Sequence, residues 1–372
     1  MILLLGISVL EIIFGDYLYE SKLGKLNLIR NRTIVYDLNG IYSSNQSAVY
    51  KRDKFGLRGF YTSPSEITIL TLGGSTTDQR FVSEGLTWQD QMRKIWLNHN
   101  LDLQVVNAGV DGQSTYGHIK NFTWWFPHIP NLKPKFILAY IGINDLFGNV
   151  GTKWDAIEDA SQYLKTLPAE EVNQLPELKE MAATSENSTP LWLWFKKNSA
   201  LVTLYRKIIG IIQAQKVKLN HGRGFQRTMA NWTTKPKLKE YFPLVEKDLS
   251  AFHLRLKMLI AEIKKLKARP IIVTQPANYY MKKNGQIYGF NDPNFFFKDK
   301  EVSGVDIYYL LQLFSIAAIE ECSADSDCIG IDGFENFNLT PLDYYDNVHN
   351  TPSGARKIAE VLINKLTPFV RE

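Results

Sequence analysis

Only two cysteines, Cys322 and Cys328, occur among the 372 residues. So few exclude a small disulfide scaffold, and no second Cys or His pair stands beside them at metal-ligand spacing. The polar stretch between them, Ser-Ala-Asp-Ser-Asp, is long enough to close as one disulfide, which needs an oxidising compartment; two separate thiols are the alternative. Also missing are Gly-x-x-x-x-Gly-Lys-Ser/Thr, Gly-x-Gly-x-x-Gly and His-Glu-x-x-His, so nucleotide, dinucleotide and zinc-protease chemistry lack a motif. Neither an internal repeat nor a low-complexity tract is present. An excess of one charge is missing as well: the net charge is +5, which does not by itself call for nucleic acid.

Long apolar runs are scarce too. The longest opens the chain, Met-Ile-Leu-Leu-Leu-Gly-Ile-Ser-Val-Leu, then Glu11, then Ile-Ile-Phe-Gly. At about 14 to 18 residues it is short for a spanning helix, and Glu11 interrupts it. No Lys or Arg precedes it, Lys22, Lys25, Arg30 and Arg32 follow it, and it has no convincing small-x-small cleavage site. We expect residues 1–20 to form an uncleaved membrane anchor, with membrane association through 1–18 and a cell-envelope, extracytoplasmic location. A buried N-terminal helix in a cytoplasmic protein is the alternative. A start called too late would account for the missing basic leader.

What is present suits a soluble globular protein: 45% apolar and 22% charged residues, with a high 12% aromatic share. Charge is unevenly spread. Residues 196–240 hold eleven Lys/Arg and one acid, whereas residues 150–190 hold eight acids and three lysines. The basic stretch suits either an anionic surface or the solvated face of a helical insertion.

Five short apolar runs, Ile67–Leu72, Gln104–Asn107, Phe136–Ile141, Pro270–Thr274 and Cys328–Ile331, show no polar alternation, as strands covered on both faces require. Helical sequence separates them. Thr87-Trp88-Gln89-Asp90 resembles a capping box opening a helix through Leu97. Leu244 to Lys267 carries an apolar stripe at 249, 252, 256, 259, 260, 263 and 266, with Pro270 as its stop. Pro352–Leu366 closes the chain as a helix with proline in its first turn. The alternation predicts an α/β fold, a three-layer α/β/α flavodoxin-like sandwich on a parallel sheet of about five strands. Residues 21–372 are expected to form one domain interrupted by a helical insertion at about 147–241, with helices near 154–165 and 191–215 and a turn at 184–190. A second insertion, about 277–305, is rich in Tyr and Phe.

In such a sheet, ligands bind at the carboxyl ends of the strands. Four motifs fall there: Gly73-Gly74-Ser75-Thr76-Thr77, Asn107-Ala-Gly-Val-Asp-Gly112, Gly142-Ile-Asn144-Asp145, and Asp346-Asn-Val-His349. They offer a hydroxyl nucleophile, an imidazole to take its proton and a carboxylate to orient the imidazole. The backbone N–H groups of Ser75 and Gly112 and the amide of Asn144 would meet the charge that develops on a carbonyl oxygen. Asp78, Asp145, Gln275, Asn278 and the aromatics of 279–297 are candidate substrate contacts. Ser114, in Gly-Gln-Ser-Thr-Tyr-Gly, is a rival nucleophile without a triad order behind it. The Gly-x-Ser-x-Gly elbow fails at Thr77. His99, His118, His128, His221 and His253 lack a carboxylate at suggestive spacing and suit packing or surface roles.

The four motifs together resemble the SGNH/GDSL hydrolase superfamily over about residues 55–150 and 268–368. The resemblance implies Ser75 as nucleophile, Gly112 as the second-block glycine, Asn144 as the third-block asparagine, and Asp346 with His349 as carboxylate and base. The first block departs from the family's Gly-Asp-Ser, reading Gly-Gly-Ser. The implied activity is a serine esterase working through an acyl-enzyme without metal or cofactor. The expected substrate is an acylated carbohydrate or small ester, most simply O-acetyl or short acyl on a polysaccharide or glycoconjugate. An O-acyltransferase, a lipase or lysophospholipase, and a binding protein on a silent hydrolase fold are the alternatives.

Overall fold

Runs of Ile, Val and Leu become the buried strands of the protein, described here from a computed structural model. The structure describes residues 28–148 and 231–371, except 40 and 42–46, together with residues 11, 199 and 201. The chain divides into two compact units. One comprises Met1–Asn27 with Glu158–Arg223, the other Leu28–Ile157 with Gly224–Glu372. In the first, the Glu11 carboxylate accepts hydrogen bonds from the Ser199 hydroxyl (2.7 Å) and the Leu201 N–H (3.1 Å). The expected anchor at 1–20, the helices at 154–165 and 191–215 and the turn at 184–190 otherwise lie outside the described residues. Among the described residues, no helix is long and apolar enough to cross a membrane.

The second unit begins with a hairpin of β1 (Arg32–Asp37) and β2 (Ser47–Arg52). Then follow β3 (Ile69–Gly73), α1 (Ser75–Asp78), α2 (Trp88–Asn98), β4 (Val105–Asn107), α3 (Thr115–Trp124), β5 (Phe136–Ile141) and α4 (Ile143–Leu146). From residue 231 on come β6 (Trp232–Thr233), α5 (Phe242–Lys265), β7 (Arg269–Thr274), β8 (Tyr280–Lys283) and β9 (Gln286–Phe290). A short ribbon of β10 (Phe296–Phe297) and β11 (Lys300–Glu301) leads to α6 (Gly304–Ser323), β12 (Ile329–Ile331), α7 (Gly333–Asn336) and α8 (Pro352–Val370).

β3, β4, β5, β7 and β12 form one parallel sheet in the order β12-β7-β5-β3-β4. Numbered along the chain this is 2-1-3-4-5, the flavodoxin-like order. Alternate residues face opposite layers. Ile69, Leu138, Tyr140, Ile271 and Val273 pack with Trp88, Met92 and Trp96 of α2 and Ile358, Leu362 and Leu366 of α8. α3, α5 and α6 cover the other face, where α5 packs on both α3 and α6 and brings Phe252 against Phe314. The three-layer α/β/α sandwich expected from the sequence is thus the fold observed.

Boundaries differ in instructive ways. β3 starts at Ile69 because the N–H groups of Thr68 and Ile69 both turn to the Gln104 carbonyl. Pro270 does not stop α5. The helix ends at Lys265, Lys267 turns to φ +60°, and Pro270 pairs within β7 opposite Ile137. The last helix runs past Leu366 to Val370, with Pro368 inside it. Cys322, at the end of α6, and Cys328, just before β12, form the disulfide.

Candidate active site

β4 lies on one side of β3 and β5 on the other, so the connections leaving β3 and β5 run to opposite edges and open a crevice between their carboxyl ends. Ser75 follows β3 there, and Asn144 follows β5. Two glycines shape the first turn. A Cβ on Gly73 would overlap the Thr77 side chain and lie 2.9 Å from the Tyr140 carbonyl. A Cβ on Gly74 would overlap the amide nitrogen of Asn144 and lie 2.9 Å from the Gln113 carbonyl. Gly74 therefore lets the Asn144 amide come directly against the Ser75 turn.

The imidazole arrives on the loop before α8. That loop is closed by hydrogen bonds from the Tyr345 N–H to the His349 carbonyl (3.0 Å) and from the Thr351 N–H to the Asp343 carbonyl (2.9 Å). One oxygen of Asp346 accepts from the backbone N–H groups of Val348 (2.9 Å) and His349 (2.8 Å). Its other oxygen lies 2.6 Å from His349 Nδ1, and His349 Nε2 lies 2.7 Å from Ser75 Oγ. A carboxylate only accepts, so Nδ1 carries the proton and the Ser75 hydroxyl donates to Nε2. The structure thus brings Ser75, His349 and Asp346 into one hydrogen-bonded chain from residues 274 positions apart. Burial pushes the imidazole down, but the charge and hydrogen bond of Asp346 outweigh it and raise His349 above the usual histidine range. The Tyr345 ring stacks on His349 at 5.5 Å.

The sequence offers three donors for a developing oxyanion: the Ser75 and Gly112 N–H groups and the Asn144 amide. Among the described residues, neither the Ser75 N–H, at the first position of α1, nor the Gly112 N–H has a hydrogen-bond acceptor. Gly112 has φ +81°, a conformation that glycine adopts without strain. Asn144 donates one amide N–H to the Gln113 carbonyl at 2.7 Å, leaving its second N–H for another acceptor.

Where the sequence offers Asp78, Asp145, Gln275 and Asn278 as substrate contacts, the structure gives each side chain a protein partner. Asp78 is buried against Arg52 (2.5 Å) and the Tyr50 hydroxyl (2.9 Å). Burial pushes its carboxyl up, but Arg52, then Arg80 and Arg58, hold it below the usual range. Asp145 is buried with Thr115, whose hydroxyl donates at 2.5 Å, and with Arg255 at 3.4 Å. The Gln275 amide donates to the Thr76 hydroxyl (2.7 Å) and the Tyr140 carbonyl (2.8 Å), and its oxygen accepts from the Ile143 N–H (3.2 Å). Asn278 donates to the carbonyls of Asp346 (2.9 Å) and Asn347 (2.7 Å). Gln275 and Asn278 hold the three segments of the site in register.

Ser114 is buried and caps α3, accepting from the Tyr116 N–H at 3.3 Å. His118 is buried behind Gly73, beside its carbonyl, yet neither ring nitrogen reaches hydrogen-bond geometry. Sequence reasoning missed Gly74, whose only signal is the doubled glycine before Ser75. It also missed Arg80 and Asp111, whose Nη2 and carboxylate oxygen meet at 2.9 Å. Nothing in their spacing signals that pair. Among the described residues, no group of His, Cys, Asp and Glu side chains is arranged to hold a metal ion.

The sequence model of the family described as GDSL-like Lipase/Acylhydrolase matches residues 69–362. None of the curated proteins matches the chain. Among solved structures it is similar to a psychrotrophic esterase from Pseudoalteromonas sp. at 11% identity and TM-score 0.39, covering 82% of this chain and 99% of that one. It is also similar to a catalytic mutant of an acetylxylan esterase from Geobacillus stearothermophilus at 13% identity and TM-score 0.41, covering 82% and 95%.

Proposed function

The chain belongs to the GDSL-like lipase/acylhydrolase family, and we propose that it is a serine esterase in which Ser75 attacks an ester carbonyl with His349 as base. The single observation that carries this reading is the hydrogen-bonded run from Ser75 Oγ through His349 to Asp346. His349 takes the hydroxyl proton as the Ser75 oxygen bonds to the carbonyl carbon, and Asp346 stabilises the imidazolium that results. The carbonyl oxygen becomes an oxyanion facing the N–H groups of Ser75 and Gly112 and the amide of Asn144, donors fixed before the reaction begins. His349 then gives its proton to the departing alcohol, leaving an acyl-enzyme. Water, deprotonated by His349, releases the acid and restores the serine.

We further propose an O-acetyl or short acyl ester on a carbohydrate as substrate. Aromatic rings adjoin two of the reacting segments and support this choice. Phe147 follows the Asn144 helix, and Tyr279, next to Asn278, stacks on Phe295 with ring centres 5.1 Å apart. Flat aromatic faces of this kind pack against sugar rings. The disulfide supports an extracytoplasmic, cell-envelope location, with residues 1–18 as attachment. The test is hydrolysis of p-nitrophenyl acetate and longer-chain esters by the full chain beside Ser75→Ala. The reading expects turnover of the acetyl ester that the variant loses. Preference for long acyl chains would favour a lipase, and product formed only with a sugar acceptor would favour acyl transfer.

A further inference from the structure

We infer that Arg80 and Asp111 are positioning residues for this reaction: their ion pair clamps the turn carrying Gly112 onto the segment carrying Ser75, fixing the Gly112 N–H where the oxyanion forms. The inference rests on the esterase reading above and adds Arg80, which lies outside the motif blocks, and a role for Asp111, which lies inside one without having been assigned any. Arg80 lies five residues after Ser75, just beyond α1, and Asp111 immediately precedes Gly112. Arg80 Nη2 meets the Asp111 carboxylate at 2.9 Å.

The turn needs such a tie. On one side the Val110 N–H is fastened to the Gly73 carbonyl (2.9 Å), and the Gly109 carbonyl accepts from Arg52 (2.5 Å). On the other side Gln113 is fastened through its N–H to Val110 (3.1 Å) and through its carbonyl to Asn144 (2.7 Å). Between these anchors, among the described residues, Asp111 and Gly112 make no backbone hydrogen bond. Gly112 also has the widest backbone freedom of any residue type. The Val110–Gln113 bond closes a four-residue turn around this tip, and the Asp111 side chain adds the tie that holds the turn to Arg80.

Arg80 is available for the task in a way its neighbours are not. Arg52 is used by Tyr50, Gly56, Asp78 and Gly109, and Arg58 by Glu84 and the carbonyls of Asp78, Gln79 and Val82. Arg80 approaches Asp78 no closer than 4.0 Å, and its Nε is buried without a hydrogen-bond partner. Its close polar contact is Asp111.

The clamp also faces the base. Four titratable groups act on or adjoin His349: Asp346 on its own loop, Tyr345 stacked on its ring, Asp111 from the Gly112 turn and Arg80 from beyond α1. Asp111 favours the protonated imidazole and Arg80 opposes it. The two charges act on the imidazole in opposite directions, and removing either member leaves the other uncompensated.

The experiment uses the full chain, p-nitrophenyl acetate kinetics across pH, and the variants Arg80→Gln, Asp111→Asn and their combination. Fluorophosphonate labelling of wild-type Ser75 is run beside them. Each single variant is expected to lower kcat about tenfold with KM within about twofold, a fraction of the 10²–10³ lost when an oxyanion donor is deleted outright. The double variant is expected to lose no more than either single one, because each breaks the same contact. The acidic limb of the rate profile should move up in Arg80→Gln and down in Asp111→Asn, a split that a purely structural role would not produce. Arg80→Lys should recover part of the rate. Because Asp111 is a half-exposed surface side chain, its conservative variant keeps the fold, and that variant alone suffices if Arg80→Gln does not fold. Unchanged kcat, multiplying losses, or limbs that move together would overturn the clamp. A wild-type chain that neither turns over ester nor labels at Ser75 overturns the esterase reading itself, which separates the two failures.

Discussion

Replacing Gly74 by alanine should disable the site through Asn144. The added methyl would sit well inside the 3.0 Å that real Cβ contacts respect, against the amide nitrogen of Asn144. The amide must withdraw by roughly an ångström to regain ordinary contact, and such a displacement of a catalytic group lowers a rate about 10²-fold. The Gln113 carbonyl, 2.9 Å from the new atom, needs to move only a few tenths of an ångström. Gly74 has φ −82°, so alanine meets no left-handed backbone, and the fold should survive. Deleting the donor itself, in Asn144→Ala, should lower kcat about 10²- to 10³-fold. The informative measurement is the cycle: kcat with p-nitrophenyl acetate for both single variants and the double. Independent effects would multiply to about 10⁴ or more. Because the methyl acts by displacing a group that Asn144→Ala removes, the double variant should fall within about tenfold of Asn144→Ala. That corresponds to a coupling of roughly 1.4 to 3 kcal/mol. Multiplying losses would show that Gly74 acts other than through Asn144.

Three further outcomes follow from buried groups. Since Asp346 raises His349 despite its burial, and since only the neutral imidazole accepts the serine proton, kcat/KM should rise with pH through an apparent pKa above 6.5; a limb below 6.5 would contradict this assignment. His118 is pushed down to about 4 by burial, which outweighs the opposing Asp145 charge and the nearby Gly73 carbonyl. The unfolded chain therefore binds this proton first, so the stabilisation is complete above pH 6.5 and is lost as pH falls towards 4. The total is on the order of 3 kcal/mol, and denaturant titrations should show this slope in wild type but not in His118→Leu. Reducing the Cys322–Cys328 bond, which closes a short loop between α6 and β12, should destabilise the second unit by roughly 2 kcal/mol; an unchanged thermal midpoint under reductant would count against it.

The sheet was legible because its central strands are covered on both faces, so β3, β5 and β7 are buried along almost their whole length and show no polar alternation. α6 was not legible. Leu310, Leu311, Phe314, Ala317 and Ala318 are buried while Tyr309 and Ile316 are exposed, so apolar residues surround the helix and no stripe stands out. The β1–β2 hairpin escaped for a related reason. Buried Ala48, Tyr50 and Arg52 alternate with exposed residues, and the buried arginine breaks the apolar half of the pattern. Ser75, Asn144 and the Asp346–His349 pair could be read from local motifs, since each sits in its own short signature at a strand end or loop. The groups that hold them could not. Gln275 reaches Thr76 from 199 residues away and Arg255 reaches Asp145 from 110, and contacts that long leave no trace in spacing.

The most direct measurement is fluorophosphonate labelling of the full chain followed by mass spectrometry of the modified peptide, with His349→Ala as control. A serine hydroxyl is nearly inert unless an imidazole takes its proton. Modification is expected at Ser75, together with hydrolysis of p-nitrophenyl acetate, and both should be lost in His349→Ala. Modification at another serine, such as Ser114, or equal labelling with and without His349, would contradict the assignment of Ser75 and His349.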